Sequence, residues 1–209
     1  MECMARYRSP LVKGIKCVAF STDGDKVVAS GMDDAHSLAV FRWRAAPKAQ
    51  AANPKAEQEK VGLLATGKGP RAPVWSLGFS ADGSQIVATC TRELSFYTIT
   101  NGVLEGRRGS GWKQPPGAIP CQAFVENTLY TGTHDGYIVE WAGRTVAKGK
   151  EVKAHESLIY AMSTRTASKG LVTGGKDGKA IVWAVDNSGR LVQEFKYDLR
   201  AADVKSMNP

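Results

Sequence analysis

Residues 130–141 read YTGTHDGYIVEW, and residues 172–183 read VTGGKDGKAIVW, the same pattern written again 42 residues further on. Thr131 falls on Thr173, Gly132 on Gly174, Asp135 on Asp177, Gly136 on Gly178 and Trp141 on Trp183. In each copy a β-prone stretch runs into Asp-Gly, and a second one follows and ends in tryptophan. Asp-Gly between two such stretches is the strongest short-range signal for a tight hairpin. A period of about 40–45 residues marks a repeat architecture, in which one supersecondary unit stacks on the next.

The pattern extends toward the N-terminus. Closing aromatics stand at Trp43, Tyr97, Trp141 and Trp183, and each is preceded by an apolar segment: IKCVAF (15–20), VWSLGF (74–79), IPCQAF (119–124) and LIYAMS (158–163). The first two run into STDGDK and SADGSQ, again Asp-Gly turns before a further strand. A more variable outer strand is expected at 61–66, 103–108, 144–148 and 191–196. No segment keeps a 3.6-residue apolar period, so helices should be few. The expected fold class is all-β: four four-stranded antiparallel blades of a β-propeller, partial or open. The expected boundaries are 11–66 for blade 1, with a disordered loop at 45–60, then 67–108, 109–148 and 149–209, the last including a C-terminal tail. Residues 1–10 read as the outer strand of a preceding blade.

The 209 residues are 43% hydrophobic and 23% charged, the composition of a soluble globular chain with ample material for a core. No apolar run approaches the roughly 18 residues of a membrane span, so no membrane partner is expected and the chain reads as cytoplasmic. Four cysteines without a CxxC pair suit buried, reduced thiols; no metal site and no cofactor is expected. Cys17 and Cys121 each stand three residues before a Phe, at one repeat-equivalent position. The net charge of +8 is spread along the chain, with local concentrations at Arg107, Arg108 and Lys113, and at Arg144, Lys148, Lys150 and Lys153. A diffuse basic surface favours acidic partners.

A Thr-Gly, an Asp four residues past the Thr and a Trp six further on resemble the WD40 repeat. In blade 4, His155 lies 28 residues before Trp183, the spacing between loop His and Trp in that family. The resemblance implies that His155, Thr173, Asp177 and Trp183 form a buried hydrogen-bonded set, with Thr131, Asp135, Trp141 and Trp43 as repeat-motif residues in earlier blades. More narrowly, ASGMDDAHSLAVFRW (29–43) and SFYTITNGVLEGRRGSGWK (95–113) are similar to blades of the echinoderm microtubule-associated protein-like (EMAP-like) family. Departures are Tyr97 in place of Trp, and Arg92-Glu93 where blades 3 and 4 have Asp-Gly. The family's N-terminal coiled coil and hydrophobic segment, on which its microtubule attachment depends heavily, have no counterpart in these residues.

No catalytic constellation is present. There are three histidines, and no G-x-S-x-G, H-E-x-x-H or P-loop pattern. GTHDG and GGKDG suit structural turns, in which Asp caps backbone donors and Gly takes positive φ. The remaining class is binding, not enzymatic. The first reading is an EMAP-like module acting on microtubules or tubulin, with Arg107, Arg108, Trp112 and Lys113 as a basic loop carrying an aromatic anchor. The second is a WD40 scaffold for an unrelated peptide or protein. Nucleic acid ranks third, because no dense Lys/Arg stripe with interleaved aromatics occurs. Four blades of a propeller that usually has about seven read as a fragment of a larger protein. An open stack of four has two exposed apolar faces and three outcomes: closure as a small ring, pairing into a homodimer, or aggregation. Pairing is the favoured one.

Overall fold

The computed structural model describes residues 10–11, 13–43, 62–165 and 169–200. Every regular element among them is a β-strand. The chain divides into two units, Met1–Arg108 and Gly109–Pro209. The expected strand at 1–10 (apart from its last residue), the loop at 45–60 and the tail beyond residue 200 lie outside the described residues.

In the first unit, blade 1 is β1 (Ile15–Phe20), β2 (Lys26–Gly31), β3 (Leu38–Arg42) and β4 (Leu63–Gly67). Blade 2 is β5 (Ser76–Phe79), β6 (Gln85–Thr89), β7 (Leu94–Thr100) and β8 (Val103–Arg108). Each blade is an antiparallel meander, and one parallel bridge, Thr66 to Val103, ties β4 to β8. The turns STDGDK and SADGSQ fold alike. The Asp23 carboxylate accepts from the Ser21 hydroxyl and the Asp25 amide, and Asp82 does the same with Ser80 and Ser84. Gly24 and Gly83 both sit at φ 66°. Local chemistry thus sets both hairpins before packing acts on them. Val28, Leu38 and Val40 of blade 1 then pack with Leu77, Phe79 and Ile86 of blade 2. Burying each such side chain contributes about 1.5–3 kcal/mol.

In the second unit, blade 3 contains β9 (Cys121–Val125), β10 (Thr128–Gly132), β11 (Tyr137–Ala142), β12 (Thr145–Val146) and β13 (Val152–Lys153). Blade 4 is β14 (Ile159–Arg165), β15 (Gly170–Gly175), β16 (Lys179–Val185) and β17 (Leu191–Asp198). Cys121, Tyr130 and Ile138 share a core with Ile159, Leu171, Ile181 and Trp183. Tyr160, Phe195 and Tyr197 of blade 4 are exposed. The Cys17 and Cys121 thiols occupy matching places: each lies 3.5 Å from a carbonyl that opens the next blade, Trp75 and Ile159 respectively. Burial pushes the Cys121 thiol up to about 12.

Two details differ from the sequence reading. The outer strand expected at 144–148 is split in two: β12 pairs with Trp141 and Ala142, while β13 pairs with Tyr137 and Ile138. A turn between them, with Gly149 at φ 72° and Lys150 N donating to Ala147 O at 3.2 Å, breaks the strand. In blade 1, the place across from Val27 that corresponds to Trp141 across from Leu129 belongs to Phe41, not Trp43. The β2–β3 turn is two residues longer than its counterpart in blade 3, which carries that place from Ala39 to Phe41, still two residues short of Trp43. Trp43 lies one residue past β3, half-buried, with its indole N–H donating to Gly24 O.

Candidate functional site

The polar centre of blade 4 is a chain of four side chains. The Asp177 carboxylate accepts from the Lys179 and Glu156 amides at 3.2 Å each, so it is an acceptor on both oxygens. His155 Nδ1 lies 2.9 Å from Asp177 Oδ1 and must therefore carry the proton. His155 Nε2 is then the acceptor for the Thr173 hydroxyl at 2.9 Å, and Thr173 Oγ1 accepts from the Trp183 indole at 3.0 Å. His155, Thr173 and Trp183 are all buried. Fully satisfied and withdrawn from water, the chain ties the loop entering blade 4 to strands β15 and β16.

Burial works against ionisation of Asp177, but the hydrogen bonds from the His155 ring and the two amides outweigh it and hold its carboxyl below the usual value. Asp33 behaves likewise, with burial opposed by Ser37 and Ala35, and the Ser80 hydroxyl first of all brings Asp82 down to about 2. Groups depressed in the folded state stabilise it above their unfolded value, near pH 4, and that stability fades as pH falls through the folded value. The urea midpoint is therefore expected to drop between about pH 5 and pH 2. Asp177→Asn should flatten part of that slope. A wild-type midpoint that holds steady down to pH 2 would contradict the assignment.

Blade 3 repeats only the lower half of the chain. Trp141 donates to Thr131 at 3.0 Å, as Trp183 does to Thr173. Above that the two blades part. Gly175 leaves room for the imidazole, since a Cβ there would stand 2.3 Å from His155 Nδ1. The matching residue in blade 3 is Thr133, whose hydroxyl caps Asp135 instead. The position 28 residues before Trp141, where blade 4 has His155, holds Lys113, and it is exposed. His134 turns aside, its Nδ1 accepting from the Gly117 amide at 3.0 Å. The unfilled space is a cleft of about 540 Å³ lined by Trp112, Lys113, Pro115, Asp135, Tyr137 and Glu151. The ammonium of Lys153 stands 4.7 Å from the centroid of the Tyr137 ring.

The four basic and aromatic residues expected to form one binding loop fall on both sides of the boundary between the units. Arg107 and Arg108 lie on β8 in the first unit, whereas Trp112 and Lys113 belong to the second. Arg108 is committed to Glu93 at 2.6 Å. Trp112 is half-buried, edge-on to Trp141 at 5.2 Å, and so is not a free anchor. Among the described residues, no three His, Cys, Asp or Glu side chains gather as metal ligands, and no helix is long and apolar enough to cross a membrane.

The repeat geometry agrees with what the chain resembles. The family described as WD domain, G-beta repeat matches residues 1–36 and 148–184. Over 178 residues the chain is 29% identical to echinoderm microtubule-associated protein-like 1 of Homo sapiens, covering 82% of this chain and 20% of that one. Over 193 residues it is 28% identical to echinoderm microtubule-associated protein-like 4 of Xenopus laevis, covering 83% and 19%. Two stretches of the chain match the WD40 repeat, and most of its length resembles the EMAP-like family. It spans about a fifth of the length of these curated relatives. The crystal structure of the computationally designed Ika8 protein matches at a TM-score of 0.61 and 22% identity, over 88% of this chain and 50% of that one, which supports the WD40-type β-propeller fold. WD40 repeats and EMAP-like relatives point to a non-catalytic protein-interaction family.

Proposed function

We propose that this chain is a non-catalytic WD40 interaction module of an EMAP-like protein, that it binds microtubules or tubulin, and that it works in the cytoplasm beside the cytoskeleton. The observation that carries this reading is similarity over more than four-fifths of the chain to proteins named echinoderm microtubule-associated protein-like. A net charge of +8 supports it, since an acidic filament surface attracts such a chain over a distance of about a Debye length. Arg107 and Lys113, exposed and without an ion pair among the described residues, are the proposed contacts. Arg108 contributes through its neighbourhood while it holds Glu93.

The test is co-sedimentation with microtubules in salt steps, with a parallel series on tubulin stripped of its acidic tails. Binding should weaken with salt and with tail removal. Arg107→Glu with Lys113→Glu should weaken it by roughly tenfold at low salt and flatten the salt dependence, because rim charges act mainly through attraction. A second reading, a scaffold for a peptide unrelated to microtubules, is favoured by the blade 3 cleft with Trp112 and Tyr137 in its wall. No sedimentation at any salt, together with capture of a peptide in that cleft, would select it.

A further inference from the structure

In blade 4 the His155 set fills the top of the blade, and blade 2 lacks its counterpart. At both described blade-to-blade junctions, the loop entering one blade presses on the turn between the second and third strands of the blade before it. Between blades 3 and 4, His155 N donates to Gly136 O at 3.0 Å, and a Cβ on Gly136 would stand 2.0 Å from His155 O. Between blades 1 and 2, Gly69 N donates to Ala35 O at 3.1 Å, and a Cβ on Gly69 would stand 1.8 Å from His36 O. Backbones this close require glycine on one side. At the first junction the turn provides it, and the loop is free to carry an imidazole. At the second the loop provides it, and the turn carries His36 at φ 47°. Gly69 lies 28 residues before Tyr97, just as His155 lies 28 before Trp183. Blade 2 thus carries no imidazole at this junction, and a cleft of about 430 Å³ opens beside Gly69, between the loop entering the blade and residues of β7 and β8.

We propose that this cleft is a binding site for an acidic peptide segment of a partner protein, with the peptide carboxylates seated between Lys68 and Arg71. Lys68, Arg71 and Arg108 line it against one carboxylate, Glu93. Glu93 is already spent on Arg108 at 2.6 Å and its side chain is 16% exposed. Lys68 and Arg71 are exposed and make no ion pair among the described residues, so two cationic side chains stand free at the mouth. Between them Pro70 is buried, which holds the loop stiff and keeps the ordering cost of binding low. The volume lies in the range of about 300–1,000 Å³ typical of ligand sites. A carboxylate suits the site better than a nucleotide. Tyr97, the aromatic among its lining residues, is 3% exposed and has no face on which a base could stack. The inference goes beyond the microtubule reading and does not rest on it.

The probe is a fluorescein-labelled hexaglutamate peptide titrated with the whole chain and read by anisotropy. Saturable binding that weakens with salt is expected. Lys68→Glu with Arg71→Glu should weaken it by tenfold or more, and Lys68→Gln with Arg71→Gln by less. The matched reversal Arg144→Glu with Lys148→Glu, at exposed residues of the other unit, should change it less than threefold. Equal loss in both charge reversals would reduce the effect to net charge and overturn the site. Absence of saturable binding, or tighter binding of an oligothymidylate than of hexaglutamate, would overturn it too. Microtubule sedimentation of the same variants is read separately, so either conclusion can fail alone.

Discussion

Trp183→Ala is expected to destabilise the second unit by about 3–5 kcal/mol, the cost of deleting a large buried aromatic. Trp183 is 3% exposed and belongs to the core that blades 3 and 4 share with Cys121, Ile138 and Ile159. Its loss removes more than volume. Thr173, fully buried, would lose the donor to its hydroxyl oxygen, and the chain through His155 to Asp177 would lose its inner end. Trp183→Phe separates the two contributions. It keeps most of the volume and removes the N–H, so its cost should be roughly 1–2 kcal/mol. Trp43→Ala is the contrast, because that ring is half-buried beyond the end of β3. Urea unfolding followed by circular dichroism ranks the three. A loss under about 1 kcal/mol for Trp183→Ala would show that the ring is peripheral and that the shared core is wrongly drawn.

How far the sequence carries depends on whether local chemistry or distant packing decides a feature. The turns at Asp23-Gly24 and Asp82-Gly83 are legible because their own serine, aspartate and glycine set the conformation. The register of blade 1 is not legible. Its second turn runs from Ser30 to Leu38, where blade 3 needs only Gly132 to Ile138. The two extra turn residues carry the pairing place from Ala39 to Phe41, while the closing tryptophan of the sequence pattern, Trp43, lies two residues further on. The spacing from His155 to Trp183 is written in the sequence, but the roles of the two imidazole nitrogens depend on which groups surround Asp177. The run from Arg107 to Lys113 looks continuous, yet it crosses from one unit to the other, and Arg108 and Lys113 line different clefts. Lys68 and Arg71 escape notice as isolated charges. The signal that finds them is Gly69 at the position of His155, and it acquires meaning only when the junction backbones are seen to touch.

Gly136→Ala should be the most damaging small substitution in the second unit, at more than about 3 kcal/mol. Two costs add there. Gly136 sits at φ 85°, where an L side chain is strained by about 1–2 kcal/mol. A Cβ would also stand 2.0 Å from His155 O and 2.7 Å from Ser157 O, both backbone atoms that cannot swing aside. The loop must then lift away from the turn, breaking the bonds from Ala154 N and His155 N to Gly136 O and pulling the imidazole off Asp177. Gly143→Ala isolates the first cost. Its φ is 60°, and nothing lies within 4 Å of the added atom, so about 1 kcal/mol is expected. The difference between the two variants measures the close approach itself. Hydrogen exchange can locate it: protection should fall at the amides of His155, Glu156 and Lys179 in Gly136→Ala and stay unchanged in Gly143→Ala. Equal destabilisation by the two substitutions would mean that the backbones do not meet, and glycine at the junction would then no longer account for the missing histidine in blade 2.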